Sequence, residues 1–219
     1  MAKFWCVSAP LFSHTDWGGF LKTAQELIRR GHTVTWVSEA GIAKAVSERG
    51  VPFATVPHTG WLWPPPPAPD LAGIPPQAAV MLRYRRALDT WMSEDLVAAG
   101  VESLIALADQ IGQPDVIITD PFLSAAALAA EKLDVPLAVA GWPAMRDLDA
   151  DSLYYVQKEL ARDSVARLER LYDRFGLVGA NFAKGPTPSI LSSRLHLNYF
   201  SPDWFKADEH NLLEQNLFV

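Results

Sequence analysis

Apolar residues fall into short bursts separated by polar turns along the first third of the chain. Residues 3–8 form an apolar run rich in β-formers and predict a buried strand. Thr15 or Asp16 can cap the helix that follows, in which Phe20, Leu21, Ala24, Leu27 and Ile28 recur at helical spacing. Gly31 closes that helix, and residues 33–38 (TVTWVS) predict a second strand. A short helix over 41–49, closed by Gly50, and a third strand within 51–56 complete a βαβαβ unit, the first half of a doubly wound sheet.

The pattern breaks at residues 58–76 (HTGWLWPPPPAPDLAGIPP), where proline excludes both helix and central strand. Loops of this length are usually functional or mobile. Residues 77–110 then read as mostly helix, with a break expected at Gly100. Residues 115–119 (DVIIT) predict a strand, 124–133 an Ala-rich helix, and 135–140 (VPLAVA) another strand. Residues 151–175 carry a charged amphipathic helix or pair of helices. From Gly176 the chain is loop-rich, with a strand expected over 195–200. The fold class is therefore α/β: a Rossmann-like parallel sheet with helices on both faces.

Composition narrows the function. The 219 residues suit a single domain spanning 1–219, and 49% hydrophobic content supplies a sizeable core. A net charge of −6 argues against nucleic acid as a partner, because neutralising phosphates needs a basic face. No apolar run approaches the ~20 residues of a membrane span. With one cysteine, Cys6, inside an apolar run, no intrachain disulfide can form. A reducing, cytoplasmic location is expected, with Cys6 as buried packing.

The candidate chemistry lies at the strand ends. In the common strand order 3-2-1-4-5, the first and fourth strands are neighbours, and ligands bind beyond their carboxyl ends. His14 lies in the loop leaving the first strand, and Asp120 ends the fourth. A carboxylate beside an imidazole fixes its tautomer and stabilises the imidazolium, which suits His14 as a general base for a hydroxyl. On residue types alone, His14 could equally be a helix-start residue and Asp120 a helix cap.

The segments around these residues resemble a known family. Ser13-His14-Thr15-Asp16-Trp17-Gly18, a Leu-rich helix, and Arg30-Gly31-His32-Thr33-Val34-Thr35 are similar to the N-terminal domain of family 1 glycosyltransferases of the GT-B type. Residues 114–122 (PDVIITDPF) resemble the family's Asp-bearing segment, and 126–136 (AALAAEKLDVP) its following helix and turn. Residues 216–219 (NLFV) resemble the strand that leads to the interdomain linker. The resemblance implies one half of a GT-B fold, with His14 as catalytic base and Asp120 as its partner. It also implies an inverting sugar transfer without metal and without a tightly bound cofactor. The nucleotide sugar would enter as co-substrate through a C-terminal donor-binding domain, in cis or as a separate subunit. No His-Cys-Gly donor motif occurs here, so this chain alone is expected to have little transferase activity. The face turned toward a second domain offers a surface for homodimerisation.

The acceptor would lie over the same crevice. Phe12, Trp17, Trp61, Trp63, Met81, Phe122, Trp142 and Met145, with Tyr154 and Tyr155, are candidates for its wall, and suit a flat apolar small molecule. Trp17 and Trp142 stand out because each follows a strand end.

Other chemistries fit less well. Glu39 ends the second strand, where a nicotinamide-binding domain carries its ribose-binding acid, but G-x-G-x-x-G is absent. Asp147, Asp149 and Asp151 suggest a calcium loop, yet its sixth and twelfth positions are Ser152 and Lys158. They read instead as acids at a helix start. No metal site is expected, since none of the histidines has metal-ligand spacing. G-x-S-x-G is absent, which disfavours a serine hydrolase. The charged stretch 158–174 reads as a solvated helix face. The alternative to an enzyme is a non-catalytic module that binds an apolar small molecule or recruits a partner.

Overall fold

The alternating strands and helices assemble around one parallel sheet. The computed structural model describes the chain apart from residues 16–18, 148, 150, 152 and 154, and describes the backbone alone at residues 14, 156–157 and 207–210. The strands are β1 (Lys3–Val7), β2 (Thr33–Ser38), β3 (Phe53–Thr55), β4 (Val116–Thr119), β5 (Leu137–Ala140), β6 (Leu195–Asn198) and β7 (Asn216–Phe218). They lie in the order β3-β2-β1-β4-β5-β6-β7, all parallel. The expected order 3-2-1-4-5 is thus present and extended by two strands.

Alternation along the strands divides the core. Trp5, Val7, Ile117 and Val139 face one side, packed with α5 (Glu94–Ile111), α6 (Ser124–Lys132) and α7 (Tyr155–Phe175). Cys6, Trp36, Ile118 and Ala138 face the other, packed with α2 (Phe20–Arg29) and α3 (Ala43–Ser47). A period of two sends successive side chains to opposite faces, so two helical layers take up two interleaved apolar sets. Cys6 is buried, and burial pushes its thiol up to about 12, which leaves it inert.

The structure departs from the sequence pattern in three places. The break in the long helical stretch falls at Met92 and Ser93, between α4 (Pro76–Trp91) and α5, not at Gly100. Gly100 sits inside α5 because the backbone at Thr59 and Gly60 crosses there. A Cβ on Gly100 would come within 2.7 Å of the Gly60 nitrogen and 2.8 Å of both the Thr59 carbonyl carbon and the Ala125 Cβ. A glycine within a helical pattern thus marks close backbone approach as well as a stop. The helix expected from residue 151 begins at Tyr155. Its charged face is also partly engaged. Arg167 pairs with Asp89 and donates to the Met92 carbonyl that ends α4, while Arg170 and Arg174 pair with Glu94 and Glu102 of α5.

Gly100→Ala is expected to destabilise the protein by ~1–3 kcal/mol through overpacking against rigid backbone. At an unobstructed helical position the same change stabilises by roughly 0.5–1 kcal/mol. A lower urea midpoint with unchanged m checks the sign.

Candidate functional site

The exits of β1 and β4 are fastened to each other and to β2. The Thr119 hydroxyl donates to the Val7 carbonyl at 3.1 Å, in a register that pairs Val7 with Thr119. On the other flank, the Ser38 hydroxyl donates to the Ser8 carbonyl, and the Trp36 indole donates to the Ser8 hydroxyl. The chain then passes Pro10 into α1 (Phe12–Thr15), a single turn closed by the buried Thr15 hydroxyl donating to the Phe12 carbonyl at 2.6 Å. His14 belongs to this turn; its side chain, and the whole of Trp17, lie outside the described residues.

Asp120 follows β4 directly and is buried. Its Oδ1 accepts from the Phe122 amide at 2.8 Å, a local turn that aims Phe122 outward from the strand end. It does not cap α6, whose N-cap position is Leu123 and has no side-chain cap. The α1 turn that carries His14 and the Asp120 turn therefore leave adjacent strands at the same edge of the sheet.

Tyr199, just beyond β6, sets the start of α2. Gly19, at that start, has φ −177°, outside the left-handed region, so no positive φ requires glycine there. Its contact does, because a Cβ there would lie 2.6 Å from the Tyr199 ring. The Thr23 hydroxyl donates to the Gly19 carbonyl, so the Tyr199 hydroxyl donates to Thr23, at 2.8 Å. Burial pushes the Tyr199 phenol up to about 12, which keeps it protonated as donor.

A cavity of about 650 Å³ opens beside Asp120 at the carboxyl ends of β4 and β5. Three of the expected acceptor residues, Phe122, Trp142 and Met145, line it. Phe122 also stacks on Trp91, ring centroids 5.1 Å apart and 13° from parallel, above a smaller adjoining space of about 140 Å³. The other expected residues lie elsewhere. Trp61 and Met81 pack against the main core. Phe12 and Trp63 are half-exposed, with the Arg49 guanidinium 5.3 Å above the Phe12 ring. Tyr155 is exposed, and Tyr154 lies outside the described residues. A larger trough of about 880 Å³ runs along α2 over Ile118, Ala138 and Leu197; Asp120, Phe122 and Trp142 do not line it.

The cavity brings in residues that sequence reading left out: Arg146, Ile190 and His196 among them. His196 was legible only as a strand residue. Its place within LHLN, alternating with leucines, marks it as turned to one face of β6, and it is buried. Glu39 accepts from the Thr59 amide and hydroxyl at 3.1 and 2.8 Å, which ties the loops after β2 and β3 and accounts for this acid structurally. Among the described residues, no group of three or more His, Cys, Asp or Glu is placed to hold a metal ion, and no helix is long and apolar enough to cross a membrane.

No protein-family model matches the sequence, and no curated protein matches it. Solved structures do share the fold. The glycotransferase of kitacinnamycin superposes with a TM-score of 0.66 at 20% identity, over 100% of this chain and 51% of that one. The calicheamicin glycosyltransferase gives 0.62 at 16% identity, over 100% and 52%. The spinosyn rhamnosyltransferase complexed with thymidine diphosphate gives 0.58 at 17%, over 99% and 49%. At these identities the likeness is one of fold. The chain spans about half the length of each of these structures. Its architecture is that of one Rossmann-like half of a GT-B glycosyltransferase, as its motifs suggest.

Gly19→Ala is expected to cost ~1–3 kcal/mol by driving its Cβ into Tyr199. Tyr199→Ala should relieve most of that cost, so the double mutant should be more stable than additivity allows, with a coupling of roughly 0.5–3 kcal/mol. Urea unfolding of the four proteins measures it; additive losses would mean that Gly19 is not held by this ring.

Proposed function

We propose that this chain is the acceptor-binding half of an inverting glycosyltransferase, which moves a sugar from a nucleotide sugar to a hydroxyl of an apolar small molecule. The observation that carries this reading is the juxtaposition at one sheet edge: the α1 turn bearing His14, the buried Asp120 on the neighbouring strand, and the cavity lined by Phe122, Trp142 and Met145. The shared fold with glycosyltransferases, one of them holding thymidine diphosphate, supports it.

In this reading the apolar wall holds the acceptor so that its hydroxyl faces the α1 turn. A His14 ring nitrogen takes the hydroxyl proton as the oxygen bonds to the anomeric carbon. The bond from that carbon to the phosphate oxygen breaks on the opposite face, and the nucleoside diphosphate leaves with the electron pair. One displacement inverts the anomeric centre. Asp120 stabilises the imidazolium that forms. The first amides of α2 point a partial positive charge toward the donor's phosphates. A second, donor-binding half supplies the remaining nucleotide contacts, in cis or as a separate chain. No metal enters the chemistry.

The test is sugar transfer to 1-naphthol by this chain together with a donor-binding half. His14→Ala is expected to lower kcat by about 10²–10⁴. The wild-type pH profile should show an acidic limb of histidine type that the variant lacks. Undiminished transfer to oxygen by His14→Ala would overturn the assignment of the base. If no transfer occurs but 1-naphthol still binds, with affinity lost in Phe122→Ala, the chain is a binding module instead.

A further inference from the structure

His196 stands out because both of its ring nitrogens are engaged, each to a different wall of the acceptor cavity. One wall is the segment after β5, with Trp142, Pro143 and Met145; the other is the segment before β6, with Pro188, Ile190 and Leu191. The Ser192 amide, next to Leu191, lies 3.0 Å from His196 Nε2. A backbone N–H can only donate, so Nε2 accepts and carries no proton. The proton is then on Nδ1, which donates to the Trp142 carbonyl at 2.9 Å. One neutral tautomer satisfies both contacts, while an imidazolium would set an N–H against the Ser192 amide. Burial favours the neutral ring and lowers its pKa.

Each wall is also anchored to the sheet independently of His196. Asn216 of β7 accepts from the Ala144 amide at 2.7 Å and donates to the Ala144 carbonyl at 2.8 Å, which fixes the first wall to the sheet edge. The Ser192 hydroxyl donates to the Leu137 carbonyl at 2.6 Å and fixes the foot of the second wall to β5. Trp142 itself is 48% exposed, so core packing holds its ring only in part. Its carbonyl accepts from His196 Nδ1–H, and the same imidazole ring accepts from the Ser192 amide at the foot of the opposite wall.

We propose that His196 is a positioning residue that braces the two cavity walls at a fixed separation and thereby selects the thickness of the apolar acceptor. The link to an acceptor rests on the function proposed above; the brace itself does not. Asn at this position keeps a donor where Nδ1 lies, and Gln keeps an acceptor where Nε2 lies. The two conservative variants therefore separate the two halves of the brace.

The experiment labels the protein with 5-fluorotryptophan, assigns the Trp142 resonance through Trp142→Phe, and follows hydrogen exchange of the Ser192 amide. His196→Leu is expected to shift or broaden the Trp142 signal and to speed Ser192 exchange. H196N should restore the fluorine signal but not the amide protection, and H196Q the reverse. Wild-type ¹⁵N spectra, which need no variant to fold, should show the Nδ1–H tautomer; the Nε2–H tautomer would overturn the proposal. So would a His196→Leu protein with unchanged Trp142 and Ser192 signals. Affinity for 1-naphthol should fall about tenfold in His196→Leu, the equivalent of one or two buried hydrogen bonds, and recover in part in each conservative variant. If the spectra behave as expected but 1-naphthol binding is absent or indifferent to Phe122→Ala, the acceptor reading fails and the brace stands. If Phe122→Ala weakens binding and His196→Leu does not, the selection role fails and the acceptor reading stands.

Discussion

The pairing of β4 alongside β1 is the constraint on which the rest of this molecule depends. The chain leaves β3 at one edge of the growing sheet, passes through α4 and α5, and returns on the far side of β1. Two strand exits more than a hundred residues apart in sequence are thereby laid side by side, and the Thr119 hydroxyl fastens them by donating to Val7. Connections that ran outward from β1 in opposite directions necessarily leave a crevice between them. The α1 turn and the Asp120 turn both open into that crevice.

What surrounds the crevice is held by side-chain hydrogen bonds, to backbone and to other side chains, as well as by packing. Ser8, Ser38 and Trp36 pin the exit of β1, Tyr199 and Thr23 pin the start of α2, and Asn216 and His196 pin the segment after β5. Buried polar groups must be hydrogen-bonded, and a bond fixes direction where an apolar contact fixes only proximity. The last two strands contribute through their side chains at some distance along the sheet from β1. They complete the wall of a cavity whose chemistry begins at β4.

Much of the layout was legible in the chain. The bursts of apolar residues marked the strands, since a strand buried on both faces has no polar alternation to disguise it. TVTWVS is β2 as expected, and the Ala-rich run after Asp120 is α6, whose small side chains let it lie close against α5. Phe122, Trp142 and Met145 line the cavity because they lie just past strand ends, which open to the crevice by topology alone. Trp61 and Met81 pack against the main core, a placement that an aromatic or Met identity alone does not reveal. Gly100 was misread for a related reason. Its role depends on the Thr59–Gly60 backbone that crosses α5 from outside the local window.

The sequence by itself determined the order of elements, the parallel sheet that this order requires, and the strand ends that carry His14 and Asp120. These follow from local periodicity and from connection rules that act between successive segments. Only the tertiary structure decided that Tyr199 demands a glycine at position 19, that Glu39 is spent on Thr59, and that His196 joins two walls of the cavity. Those are facts about residues brought together from distant parts of the chain. A hydrogen bond or a steric limit between them depends on distances of a few tenths of an ångström, which no single residue's identity encodes.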